Sequence, residues 1–457
     1  MKGGLPLRQP HSRFSPTRWI SLLGLLCAGG AFLHWNLTTQ YSFPGRLAAL
    51  VSISLFVTIC LRFVPRWMAF WQIEGSFREP AVSTEEPPLV GPMIFAGFLL
   101  FDLMILFLTD RINQLTGMEG SFAARLQFWT CTDSQHYLDI ARDWYLSVGP
   151  MSRLVQLVFL PGYPLAIRLT EHLIPDPLIA AMTLSGCCFA AAGWLLYRLL
   201  RLDLSHRDAL FGTCVLCLLP GAFFFAAPMS ESLFLLLCVG CMYLTRREHW
   251  FLGCLLGGYA AFTRSPGILL VVPLCMEWVA QTRAVGCTSG QRWKAACLLL
   301  IPAGFAAYCF VNYKVSGNPF QFMIYQSAHW HQGLGWFWNT AAYQTEHALS
   351  CISESPERLL GLWLPNLIWS FGSLCLMIPA CKRLRPGETA WFIAYFAVTI
   401  GATWLLSAPR YLVSFYPISK ALAVTVRSGK GRFFTVLLCL ILSGLYLCAF
   451  VLRWQVW

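Results

Sequence analysis

Asp133, His136, Tyr137 and Ile140 stand at i, i+3, i+4 and i+7 in the stretch Phe128-Trp-Thr-Cys-Thr-Asp-Ser-Gln-His-Tyr-Leu-Asp-Ile-Ala-Arg-Asp-Trp-Tyr145. A short helix would carry them on one face. That face sets a carboxylate, an imidazole and a phenol side by side, the side chains of general acid–base chemistry. A second reading needs no chemistry. Thr132 to Gln135 fits an S/T-x-x-E/Q capping box, and an acidic first turn suits the helix dipole. From this stretch alone both readings stand.

Other charges sit where charge is costly. Glu231 and Arg264 each fall at a break between two apolar segments, and Arg410 follows Pro409 at a similar place. Charges there face a cavity or each other. Glu231 and Arg264 can equally be a structural ion pair, and Arg410 a snorkelling interfacial residue. Lys314 opens a long polar loop at 313–358. A carboxylate that takes a proton from an attacking hydroxyl, with cations that neutralise a departing phosphate, suits group transfer from a phosphate leaving group. A transporter for an anionic substrate fits the same charges. His329 and His331 form an H-x-H without a nearby carboxylate, and read as loop histidines beside Trp330, Trp336 and Trp338, so no metal site is expected. Cys214/Cys217 and Cys238/Cys241 match C-x-x-C inside apolar helices and read as core residues. Cys131 and Cys351, both in polar loops, could pair as a disulfide.

The elements that must position these residues are membrane helices. The chain has 457 residues, 57% hydrophobic and only 12% charged, with a mean hydropathy of +0.59. Its apolar residues come in long runs, which marks an integral membrane protein. The net charge of +12 is dispersed over short connectors, so it sets topology and nucleic acid is not an expected partner. Thirteen apolar segments occur, at about 19–35, 46–64, 90–109, 178–199, 209–227, 229–245, 250–263, 267–281, 295–312, 359–380, 388–407, 411–426 and 433–452. With that count, the basic groups at Lys2/Arg8/Arg13/Arg18, Arg62/Arg66, Arg198/Arg201/Arg207, Arg246/Arg247, Arg283/Arg292/Lys294, Lys382/Arg383/Arg385 and Arg427/Lys430/Arg432 all share the N-terminal side. The opposite, outer side receives loops 110–177 and 313–358 and the joints carrying Glu231, Arg264 and Arg410, and the C-terminal Trp457. Leu157–Leu169, broken by Pro161-Gly-Tyr-Pro164, is expected to re-enter or lie in the interface. Residues 65–89, with Glu85-Glu-Pro-Pro88, form a solvated connector on the inner side. The basic N-terminus leads into a retained first span, since Leu26 is too large for a lipobox before Cys27 and no A-x-A cleavage site follows. A transporter usually shows internal repeats and charges at the bilayer midplane; here no repeat is found and the polar motifs sit at helix ends.

Five motifs in order carry a family resemblance. Asp133-Ser-Gln-His136-Tyr137-Leu-Asp-Ile140-Ala141 resembles the W-D-x-x-H-[FY]-L-x-I-A motif of PIG-V-type mannosyltransferases. Phe159-Leu-Pro-Gly-Tyr163-Pro-Leu165 resembles their F-F-P-G-[FY]-P-L, and Ala226-Ala-Pro-Met-Ser230-Glu231-Ser-Leu-Phe234 their Y-S-E-[SA]-L-F. Ala261-Phe-Thr-Arg264-Ser-Pro-Gly267 resembles R-S-N-G, and Pro409-Arg-Tyr411 a late R-[YF]. Gly317-Asn-Pro-Phe320 with Gln326 and Trp330 is similar to G-x-P-x-F…Q…W in bacterial relatives. Three positions depart: Thr132 stands for the Trp before the Asp, with Trp129 displaced, Met229 for an aromatic, and Pro266 for Asn.

The resemblance implies an all-α GT-C glycosyltransferase fold, spanning 90–457, with a two-helix extension and connector over 1–89 that has no family counterpart. It implies an inverting hexosyl, here mannosyl, transfer from a polyprenyl-phosphate donor to a glycolipid or glycan acceptor, without a further cofactor. Asp133 would be the catalytic base, with His136 beside it. Arg264, Arg410 and Lys314 would hold the lipid phosphate. Tyr137, Tyr163, Ser230, Glu231, Gln326 and Trp330 would position substrate. The bacterial-like Gly317–Phe320 feature points to a bacterial plasma membrane with an extracytoplasmic site; in a eukaryote the site would face the endoplasmic reticulum lumen. A lipid carrier and an inactive relative kept as a binding subunit are the alternatives.

Overall fold

The computed structural model describes residues 16–72, 88–145 and 151–456. Lys2, Arg8, Arg13, the Glu85-Glu86-Pro87 part of the connector and Trp457 lie outside the described residues. Two helices, α1 (Pro16–Thr38) and α2 (Phe43–Gln72), precede α3 (Val90–Leu115). A long loop then carries α4 (Phe122–Leu126), α5 (Asp133–Asp143), a 3-10 turn at Met151–Val158 and α6 (Gly162–Glu171). The bundle continues through α7 (Pro177–Arg201), α8 (His206–Leu218), α9 (Glu231–Arg246), α10 (Trp250–Thr263), α11 (Val271–Val285), α12 (Ser289–Cys297) and α13 (Leu300–Ser316). A second long loop holds α14 (Gln321–Trp330), α15 (Phe337–Glu354) and α16 (Pro356–Arg358). The chain ends with α17 (Leu364–Ala380), α18 (Pro386–Thr399), α19 (Ala408–Val413), α20 (Pro417–Thr425) and α21 (Gly429–Val451). Among the described residues the sole strand-like feature is a bridge between Leu334 and Ala402. The fold is all-α and polytopic, as expected.

Eight stretches among the described residues are long and apolar enough to cross a membrane: Pro16–Thr38, Phe43–Ala69, Val90–Leu115, Pro177–Arg201, Ser265–Ala284, Ser289–Ser316, Pro356–Ala380 and Gly429–Val451. The expected thirteen is therefore not reached by this measure. The segments expected at 209–227, 229–245, 250–263, 388–407 and 411–426 contain α8, α9, α10, α18 and α20, of 13, 16, 14, 14 and 9 residues. A straight crossing needs ~20. The breaks fall at Pro220-Gly221, Pro228, Ser265-Pro266 and Pro409, where proline removes a helical donor. Those breaks turn the chain at the places where the charged residues stand.

Local chemistry sets the helix starts. Asp176 accepts from the amide of Ile179 at 2.8 Å and is followed by Pro177 at the first helical position of α7, a favourable cap and start. Ser205 and Ser428 cap α8 and α21 in the same way. Small residues set the crossings. A Cβ on Gly304 would stand 1.9 Å from the carbonyl oxygen of Gly258, so α13 and α10 touch backbone to backbone. The main core runs through α7, α9, α10 and α18 and is rich in Phe, Tyr and Trp. The extension is not peripheral: α2 packs on α15, α17 and α18, and Trp35 donates its indole N–H to Asn339 at 2.9 Å.

Cys131 and Cys351 are free thiols, so the disulfide considered from sequence does not form. Cys351 packs with Tyr343 and Trp363 in a small separate cluster, whereas Cys131 packs against the main core. Cys217, Cys238 and Cys241 are buried core residues, as expected, whereas Cys214 is exposed on α8 and is not a core residue.

Candidate active site

Asp133 opens α5, but not through a cap. Thr132 makes no side-chain cap bond and instead donates its hydroxyl to the Cys131 carbonyl at 2.7 Å. Its φ is +55°, and Trp144 at the other end of α5 has φ +59°. Positive φ costs a β-branched or bulky residue about 1–3 kcal/mol. The helix bearing Asp133 is thus framed by two strained residues, and the capping-box reading fails.

Four charged side chains from distant parts of the chain meet here. Arg410 Nη1 lies 2.6 Å from Asp133 Oδ2, and Arg410 Nε lies 2.7 Å from Glu231 Oε1. Arg264 Nη1 reaches the same Glu231 oxygen at 2.6 Å. Glu231, at the first position of α9, is 0% exposed beneath both guanidiniums, while Asp133 is 31% exposed. The exposed carboxylate can meet a substrate; the buried one can act only through its arginines. The second Glu231 oxygen, Oε2, is buried without a hydrogen-bond partner among the described residues. Arg410 is buried and doubly paired, so the snorkelling reading fails as well.

Neutral groups complete the arrangement. Ser230 Oγ lies 3.0 Å from Tyr137 Oη and accepts from Arg264 Nη1 at 3.4 Å. Burial pushes the Tyr137 phenol above its ordinary range, against the pull of Arg264, so it stays neutral. Burial also opposes the charge on Arg264, but the Glu231 carboxylate outweighs it and holds the guanidinium above its ordinary value. Tyr163 is fully buried one layer down. Its ring packs edge-on against Tyr137, and its hydroxyl lies 2.7 Å from Ser185 Oγ.

Around this cluster is a cavity of about 300 Å³, lined by Asp133, Tyr137, Arg264 and Arg410 on one wall. Phe159, Leu160, Gln326, Trp330 and Gln332 line it too, with Ser265, Ser407 and Tyr411. His136 is not among the lining residues. Its ring stacks on Phe159 at a centroid distance of 4.6 Å. Lys314 is exposed, its Nζ 5.4 Å from the Phe310 ring, and lies outside the lining. It is one expected phosphate ligand that the structure leaves apart from the rest, because it falls on the lipid- or solvent-facing side of α13. His329 and His331 do not line the cavity.

Sequence reasoning missed what holds the wall. Tyr308 donates to the Leu157 carbonyl at 2.6 Å, Tyr145 to Phe159 at 2.5 Å and Tyr259 to Gly162 at 2.7 Å. Three phenols thus fix the turn that presents Phe159 and Leu160. Gly162 is required there, since a Cβ would stand 2.3 Å from Thr263 Oγ1 beside Arg264. A tyrosine within an apolar run gives no sequence signal for such a role.

A buried cluster of paired charges thus opens on a loop-walled cavity in an all-α polytopic chain. Residues 110–285 match the family model Mannosyltransferase (PIG-V), the family that the motifs resemble; this part includes Asp133, Glu231 and Arg264. Among solved structures, ArnT from Cupriavidus metallidurans bound to undecaprenyl phosphate is similar at 14% identity and a TM-score of 0.46, over 81% of this chain and 76% of that chain. No curated protein matches the chain by sequence.

Proposed function

We propose that this chain is a glycosyltransferase that moves a hexose, mannose in the first instance, from a polyprenyl phosphate to a hydroxyl of a glycolipid or glycan acceptor, with inversion. Asp133 accepts the proton of the acceptor hydroxyl as its oxygen attacks the anomeric carbon. The bond from that carbon to the phosphate oxygen breaks, and polyprenyl phosphate leaves with the added negative charge. Arg264 and Arg410 stabilise that charge as preorganised donors. Glu231 is a positioning residue that sets both guanidiniums from below. Tyr137 and Ser230 orient Arg264, and His136 with Phe159 backs the wall beside Asp133. The observation that carries this reading is that Asp133 and two arginines line one cavity and are bridged through a single buried carboxylate.

The basic connectors lie at the other ends of the same helices, which supports an extracytoplasmic site in a plasma membrane. Purified protein supplied with polyprenyl-phosphate mannose and crude acceptor lipids is expected to release polyprenyl phosphate only when acceptor is present. Tight donor binding without acceptor-dependent release would instead make the chain a lipid carrier or a binding subunit.

A further inference from the structure

The cavity has a second wall whose chemistry differs from the first. Trp330 and Phe159 present rings there, 6.1 Å apart and edge to face, and two amides stand beside them, Gln326 and Gln332. No charge lies on this side among the lining residues, so it suits an uncharged sugar, whose C–H faces pack on aromatic rings and whose hydroxyls need hydrogen-bond partners.

The orientation of the two amides is fixed by what they touch. Gln332 Nε2 donates to the carbonyl of Trp404 at 2.5 Å. A carbonyl only accepts, so the Gln332 amide can face it in one sense alone. Its Oε1 is thereby turned to Gln326, whose Nε2 donates to it at 2.5 Å. The Gln326 carbonyl oxygen is then the atom left to face the cavity, as an acceptor. The strap carrying Gln332 is itself tied to the segment leading to the phosphate wall: Gly335 N–H donates to Gly401 at 2.7 Å and Thr403 N–H to Gly333 at 2.9 Å. That segment runs directly into α19 and Arg410.

We infer that Gln332 is a positioning residue that holds the Gln326 carbonyl oxygen as an acceptor for one hydroxyl of the transferred sugar, on the Trp330 wall, at a fixed distance from the phosphate-binding arginines. This rests on the proposed polyprenyl-phosphate donor. It makes the amide pair the determinant of which sugar hydroxyl is required. Gln332→Leu keeps the bulk of the side chain, removes both amide contacts and frees Gln326 to turn.

The test uses the full chain and a set of polyprenyl-phosphate hexoses, each lacking one hydroxyl. In the wild type one deoxy donor is expected to lose about tenfold in kcat/KM, the scale of one hydrogen bond. In Gln332→Leu the donor KM should rise about tenfold with kcat changed less than about twofold, and the preference against that deoxy donor should vanish. An unchanged preference, or a loss confined to kcat, overturns the inference. Should Gln332→Leu not fold, Gln326→Leu must erase the same preference, and its persistence is equally contradictory. A wild type that transfers from no polyprenyl-phosphate hexose overturns the donor reading and this inference with it, whereas transfer without hydroxyl preference overturns this inference alone.

Discussion

Two clusters of buried charge cap the ends of one helix. α9 begins at Glu231, beneath the cavity wall, and ends at Arg246, roughly 23 Å away along its axis at 1.5 Å per residue. At the far end Arg246 pairs with Asp203 at 2.6 Å, Lys420 with Asp203 at 2.5 Å and with Glu388 at 2.7 Å, and Arg385 with Glu277 at 2.8 Å. Tyr416 donates to Glu388 as well, at 3.3 Å. Both oxygens of Glu388 are engaged, and Lys420 and Glu388 are each 1% exposed. The Glu231 cluster has a buried acceptor with no partner among the described residues, and its Asp133 is open to the cavity. The difference teaches that pairing alone does not mark function. A complete network joins α7, α9, α11, α18 and α20 into one body, while an incomplete one keeps capacity for a ligand.

Removing one partner from either cluster leaves a buried charge uncompensated, which costs about 3–5 kcal/mol. The two ends should then separate by what else is lost. The largest effect is expected for Glu231→Gln, with a lowered melting temperature and a transfer rate per folded molecule down by about 10²–10³. Lys420→Met should destabilise by the same order, yet leave turnover per folded molecule within about twofold of wild type. Equal turnover losses in the two variants would erase the distinction.

A pH series sharpens it. Asp203 lies in the turn between α7 and α8. Burial acts to raise its pKa, but Lys420 and Arg246 outweigh burial and hold the carboxyl well below its ordinary 3.8. A depressed carboxyl contributes stability that is present above its unfolded pKa and lost as pH falls through the folded value. The melting temperature should therefore drop as pH is taken below about 4, and Asp203→Asn should flatten that dependence while lowering stability at neutral pH. The smallest effect is expected for Lys314→Ala, with donor KM unchanged, since Lys314 lies outside the cavity; a several-fold rise in KM would restore it to the phosphate site.

The sequence shows some of this plainly. The i, i+4 relation of Asp133 and Tyr137 survives because a helix periodicity needs no tertiary information. Glu231 and Arg264 at breaks between apolar runs do pair, since a charge at such a place needs a partner. Arg410, expected as a phosphate ligand, also bridges Asp133 and Glu231, and nothing local foretells that contact across 277 and 179 positions. The far cluster is invisible for the same reason. Its arginines read as topology markers, and their partners lie far apart in sequence, Asp203 in the turn after α7, Glu277 on α11 and Glu388 on α18. Lys314 shows the opposite failure: a cation of the right type at the right end of a helix, turned to the wrong face. The amide pair escapes notice because its orientation depends on one backbone carbonyl, that of Trp404.

The central claim is that Asp133 is the base and the arginines serve the leaving phosphate. Single turnover of purified wild type and Asp133→Asn, with donor affinity measured on the same samples, tests it most directly. The expected result is donor affinity within a few-fold of wild type and acceptor-dependent release of polyprenyl phosphate reduced by about 10²–10⁴. Full turnover in Asp133→Asn would contradict the account.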